Sequence, residues 1–128
     1  LSKSISYSNR NMEDAIGISA AEMALSMEKV KAILAFTQKG MTAKSMSKFR
    51  PSVPIIAVTF SKEIQRQLNI CWGVTSVYSD IQNNPDNQDE LARIIAKGYG
   101  CKKGDLIILT MGYPVGSGST NTIKIVEV

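Results

Sequence analysis

The chain contains no histidine. That excludes Ser-His-Asp and Cys-His nucleophilic sites, histidine general bases and histidine metal ligands. Cysteine is scarce. Cys71 and Cys101 form no C-x-x-C pair and no zinc framework. A disulfide between them is open on paper, but the composition favours reduced thiols. Aromatic residues make up 6% of the chain, too few for the stacking platforms of single-strand nucleic-acid binding. Charge excess is also small: 15 Lys and Arg against 11 Asp and Glu give +4. The basic residues are dispersed, with Lys102-Lys103 the sole adjacent pair, and they read as a solvated surface. No stretch is long and apolar enough to span a bilayer. Residues 1–10 are polar and serine-rich and lack the apolar centre of a signal peptide. A cytoplasmic location is the expectation.

What is present is an ordinary globular composition. The chain has 128 residues, 44% of them hydrophobic, which suits one domain over residues 1–128 with residues 1–10 as a polar lead-in. Near-continuous runs of Ile, Val and Leu recur. Lys31 to Thr37, Pro54 to Thr59 and Gly104 to Thr110 each end in a polar turn and suit strands buried on both faces. Val74 to Tyr78 and Ile123 to Val128 are weaker strands.

Helical patterns lie between them. Ser8 to Asn11 offer N-caps for a first helix, with Ile16, Ala20, Met23 and Met27 as its inward stripe. Its methionines read as adaptable packing. Thr42 to Arg50 is a second helix, ended by Pro51. Ser61 to Trp72 is a third: Ser61 caps it, Ile64, Leu68 and Cys71 or Trp72 face inward, and Gly73 stops it. Asp86 to Gly98 is a fourth, capped within Asp86 to Asp89, with Leu91, Ile94 and Ile95 inward. Alternating strands and helices predict an α/β fold, a parallel sheet with helices on both faces.

In such sheets ligands bind beyond the carboxyl ends of the strands. Two loops there carry suggestive chemistry. The first is Thr37-Gln38-Lys39-Gly40-Met41-Thr42. Gly40 permits a tight turn, two hydroxyls and one ammonium stand close together, and a helix start follows. Together they suit a phosphate. A plain strand-to-helix turn with Thr42 as N-cap fits the spacing equally well. The second loop is Met111 to Thr122, with three glycines and four Ser/Thr hydroxyls. It matches neither the P-loop nor the dinucleotide fingerprint. Its composition suits ligand contact or a lid. Glu63, Asp80, Asp86, Asp89, Glu90 and Asp105 form no metal-ligand pattern, and Asp105 reads as a turn residue. Trp72 reads as packing. No nucleophile has a base beside it.

The stretch K-A-I-L-A-F-T-Q-K-G-M-T-A-K-S-M-S-K-F-R-P-S-V-P-I-I-A-V-T, Lys31 to Thr59, resembles the C-terminal domain of the pyruvate kinase family. So do Trp72-Gly73-Val74, Lys102-Lys103-Gly104-Asp105 and Gly118-Ser119-Thr120-Asn121-Thr122, in the family's order from about Asn11 onward. The resemblance implies a three-layer α/β/α unit whose five-stranded mixed sheet has order 3-2-1-4-5, strand five antiparallel.

It also implies an allosteric site. Thr37, Gln38, Lys39, Gly40, Met41 and Thr42 would hold an effector phosphate. The glycine-rich loop with Gly112, Gly116, Ser117, Gly118, Ser119 and Thr120 would close over it. The Trp and Arg with which some members hold the second phosphate of fructose 1,6-bisphosphate are absent from Ser79 to Asp89, and Pro114 stands where some carry Arg. The effector would then be a sugar monophosphate or a nucleoside monophosphate, or there would be none. The family's enzymes move a phosphoryl group from phosphoenolpyruvate to ADP, giving pyruvate and ATP, with Mg²⁺ and K⁺. Those groups belong to a barrel domain for which this chain has no counterpart. The chain alone is expected to be inactive, to work beside that barrel and to assemble as a homotetramer in the full enzyme. A stand-alone phosphate sensor and a purely structural assembly domain are the alternatives.

Overall fold

The computed structural model of the protein describes residues 12–79, 88–112 and 120–128. The expected lead-in at 1–10, the Asp86 cap and Gly116, Ser117, Gly118 and Ser119 lie outside them. The described elements are α1 (Met12–Ser26), β1 (Val30–Phe36), α2 (Met41–Lys48), β2 (Ile55–Thr59), α3 (Lys62–Leu68), β3 (Val74–Tyr78), α4 (Gln88–Gly98), β4 (Leu106–Met111) and β5 (Thr122–Glu127). The strands lie in the order β3-β2-β1-β4-β5. The first three pairings, β1 with β2, β1 with β4 and β2 with β3, are parallel, and β4 with β5 is antiparallel.

The apolar runs fill the middle of this sheet because only there are both faces covered. Side chains of β1 alternate between two core layers. Ile33 and Ala35 face Ala20 and Ala24 of α1, Ala43 and Met46 of α2, and Leu68 of α3. Leu34 and Phe36 face Ala92 and Ala96 of α4. Three helices therefore cover one face and α4 the other. Edge strands β3 and β5 are only partly buried, which explains their weaker apolar pattern.

Three expectations shift. The buried side of α1 is Gly17, Ala20, Ala21 and Ala24, with Ile18, while Met23 and Met27 pack at its margin. Small residues lead there because α1 lies close on α2. A Cβ on Gly17 would come within 3.3 Å of Met46 N and of Ser45 Cβ. Ser45 Oγ also donates to Asp14, tying the two helices together.

In α4 the line against the sheet is Gln88, Ala92 and Ala96, one helical turn apart, with Leu91 and Ile95 flanking it. Ile94 was expected inside, but it is 59% exposed. Two residues turn a helix by about 200°, which carries Ile94 to the far side from Ala92.

The third helix stops early. Ser61 does cap it, accepting from Ile64 N–H at 3.2 Å. The helix closes at Leu68 with Asn69 as its C-cap. Gly73, with φ +67°, instead turns the chain into β3. Trp72 therefore sits in a turn, half-exposed, rather than in the core.

Both cysteines are free thiols. Cys71 packs with the α1–α3 layer and Cys101 with the α4 layer, on opposite faces of the sheet. The Cys101 thiol is pushed above its ordinary pKa, chiefly by burial and further by Asp105, with Lys31 opposing. Asp105 is the expected turn residue: its Oδ2 accepts from Lys102 N–H at 2.8 Å.

Candidate functional site

The connections of this sheet diverge at β1 and β4. The chain leaves β1 towards β2 on one side and leaves β4 towards β5 on the other. The carboxyl ends of neighbouring strands thus open onto loops that run apart, the usual place for a ligand in an open α/β sheet.

The turn after β1 is built by backbone chemistry. Thr37 N–H still pairs with Val58 C=O at 3.0 Å, and its hydroxyl folds back to accept from Gly40 N–H at 2.8 Å. Gly40 caps α2 with φ +81°, a left-handed conformation that a side chain resists. A Cβ there would also meet Leu68 Cδ2 at 3.0 Å and Ile64 Cγ2 at 3.4 Å. Both the conformation and the neighbours require glycine.

The N-cap is therefore Gly40 and not Thr42, and α2 has no side-chain cap. Its first N–H groups have no intrahelical acceptor and face the open end of the sheet. Thr42 lies inside the first turn, 1% exposed. Its hydroxyl donates to the Thr120 hydroxyl at 2.6 Å. Thr120 belongs to the far end of the second loop, so this bond joins the two sequence-predicted segments. Gln38, Lys39 and Met41 are exposed around the buried Thr37, Gly40 and Thr42. Gly112, half-buried, follows β4. The turn carries one cation, Lys39, and a helix start, so it can receive an anion.

Two threonines escaped the sequence reading. Thr59 ends β2 and accepts from Ser61 N–H at 3.2 Å. Thr110, next to the end of β4, is fully buried, and its hydroxyl has no partner among the described residues. In sequence the signal was a threonine closing each of the three central apolar runs: F-T, V-T and L-T. These threonines line the carboxyl edge of the sheet beneath the turn. Thr110 pairs in register with Ala35, two residues before Thr37. A buried hydroxyl without a partner costs about 1–3 kcal/mol. Thr110→Val keeps the shape and removes that cost, so urea unfolding is expected to show a gain of about 1 kcal/mol.

Among the described residues no group of three Cys, Asp or Glu side chains is placed to hold a metal ion. No helix among them is long and apolar enough to cross a membrane.

Together these features define a three-layer α/β/α module whose anion-suited turn opens at the switch point of its sheet. The family pattern described as "Pyruvate kinase, alpha/beta domain" matches residues 14–126. The chain is 42% identical over 121 residues to the pyruvate kinase of Lactobacillus delbrueckii subsp. bulgaricus, covering 93% of this chain and 20% of that protein. It is 44% identical over 118 residues to the pyruvate kinase of Staphylococcus aureus (strain USA300), covering 90% and 20%. With the pyruvate kinase of Lactococcus lactis subsp. lactis the identity is 36% over 120 residues, covering 93% and 24%. The chain belongs to the pyruvate kinase alpha/beta-domain family. It spans between a fifth and a quarter of the length of these curated relatives.

Proposed function

We propose that the chain is the regulatory and subunit-assembly domain of a pyruvate kinase and binds a phosphorylated effector between the turn at Thr37–Thr42 and the loop ending at Thr120. The observation that carries the binding site is the Thr42–Thr120 hydrogen bond, which puts the two segments against each other. Lys39, the Thr37 and Thr42 hydroxyls and the first N–H groups of α2 would hold the phosphate through charge-assisted hydrogen bonds. An arriving phosphate oxygen competes for the Thr42 proton, replacing a neutral bond with a charged one. Gly112, Gly116, Ser117, Gly118 and Ser119 would cover the ligand.

Transfer of the phosphoryl group from phosphoenolpyruvate to ADP, with Mg²⁺ and K⁺, would belong to the part of the enzyme that this chain does not span. The 128 residues alone would be inactive. Effector binding would act by favouring one quaternary arrangement of a cytoplasmic homotetramer over another. Exposed Ile125 on edge strand β5, with Ile94 and Tyr99 on and after α4, are the apolar residues an assembly surface would use.

The helix starts at this end of the sheet carry Glu13, Asp14, Glu63, Asp89 and Glu90, matched by Lys39, Lys44, Lys62, Arg93 and Lys124, with Asp89 paired to Lys124 and Glu90 to Arg93. The charges there balance, so anion binding rests on the local donors of the turn, and without it the domain would serve assembly alone. Calorimetric titration of the chain with glucose 6-phosphate and with AMP separates the two readings. Saturable heat from either supports effector binding. No heat at millimolar ligand leaves assembly alone.

A further inference from the structure

Helix α2 is pinned at both ends. At its start, Gly40 packs on Leu68 and Thr42 bonds to Thr120. At its finish, Ser47 Oγ donates to Trp72 C=O at 2.8 Å. Just beyond, the Arg50 guanidinium lies over the Trp72 ring, 4.8 Å from its centroid, a cation–π distance. Arg50 is also the one non-glycine residue with a positive φ, +44°, among the described residues. Such a backbone persists only where the surroundings hold it.

Between these pins the helix is clamped along its length. Thr42, Ala43, Ser45 and Met46 are buried, and Gly17 of α1 lies against Ser45 and Met46 without room for a side chain. A shift at one end of so short and closely held a helix would be carried to the other. Its eight residues cover about 12 Å. One end stands in the candidate phosphate turn and the other at the opposite edge of the sheet.

We propose that α2 is a strut coupling phosphate binding in the Thr37–Thr42 turn to the setting of the Arg50–Trp72 stack. This rests on the reading of that turn as a phosphate site. The two settings differ at Thr42, whose hydroxyl either bonds to Thr120 or turns to the anion. At the far end the change reaches an exposed surface, where Trp72 is half-exposed and Ile70 is 89% exposed. Linkage makes the effect reciprocal. Loosening the stack changes phosphate affinity by the same factor with which phosphate changes the stack.

Trp72 is the only tryptophan of the chain, so its emission reports the stack directly. Inorganic phosphate is titrated while emission is recorded, with calorimetry in parallel. The expected result is an emission shift that saturates together with the heat. Ser47→Ala leaves the turn intact but removes the pin on Trp72. It is expected to abolish the shift and weaken phosphate about fivefold. Heat without any emission shift overturns the coupling and leaves the site standing. If there is no heat, the phosphate reading fails, and a second arm still decides the coupling. Thr42→Val cuts the bond to Thr120 with no anion present. It is expected to shift Trp72 emission, while Ile107→Val, in the opposite core layer, leaves it unchanged. Emission identical in Thr42→Val and the parent chain overturns the proposal.

Discussion

Gly40→Val is expected to destabilise the domain by about 3 kcal/mol, a large part of the roughly 5–15 kcal/mol that holds a domain folded. Two costs add. A left-handed backbone costs a residue with a Cβ about 1–2 kcal/mol, and β-branching makes it worse. The Gly40 φ of +81° lies in that region. The new Cβ also enters the space of Leu68 Cδ2 and Ile64 Cγ2, where overpacking costs about 1–3 kcal/mol. Leu68 is fully buried. The urea midpoint measures the loss. A change below about 0.5 kcal/mol, the size of an ordinary surface substitution, would mean that the turn is not held as described. Because the Thr37–Gly40 bond and the start of α2 depend on this residue, the same variant should lose phosphate binding.

Lys39→Glu should show the opposite signature. Lys39 is exposed, and no ion pair or side-chain hydrogen bond ties it to the fold among the described residues. Its replacement should move stability by no more than about 0.5 kcal/mol. For a bound phosphate ester the change exchanges an attractive charge for a repulsive one. A charge-assisted hydrogen bond contributes about 1.5–3 kcal/mol, and exposure to salt reduces this. The expected result at low ionic strength is a Kd raised roughly tenfold, narrowing as salt is added. Lys39→Gln should fall between the parent and Lys39→Glu. Equal affinity in all three would remove Lys39 from the site. The pair of variants separates a turn that folds the domain from a turn that also binds.

Much of this architecture is legible in the residues because burial leaves a direct mark on composition. The strands β1, β2 and β4 are covered on both faces, so their Ile, Val and Leu runs have no polar alternation to obscure them. The strand order is legible only through the family resemblance, because a parallel sheet's neighbours are not set by local pattern. Of the site, Gly40 was visible since glycine before a helix has few other uses. Thr42 stands in the turn, but the N-cap of α2 is Gly40 rather than Thr42. Its partner Thr120 lies 78 positions away, and no local rule connects them.

Gly17, Ala20, Ala21 and Ala24 carry little hydrophobic signal, yet small size is what lets α1 lie on α2. Ile94 carries a strong signal and points outward because the alanines beside it govern how close α4 comes to the sheet. Helical spacing turns Cys71 or Trp72 inward; Cys71 does pack against the core and Trp72 does not. Its chain segment leaves the helix four residues earlier, and the ring finds Arg50 instead. For α1 and α4 the deciding quantity is how closely a helix approaches its neighbour, and for Trp72 it is where α3 ends.

A phosphorylated ligand held between the Thr37–Thr42 turn and Thr120 would perturb the backbone amides of both segments. The most direct measurement is a titration of the isotopically labelled chain with glucose 6-phosphate and with AMP, following backbone amide resonances. The expected result is a set of saturable shifts concentrated at Gln38 to Ala43 and at Thr120, which weaken in Lys39→Glu. Shifts centred elsewhere, or none up to millimolar ligand, would contradict it.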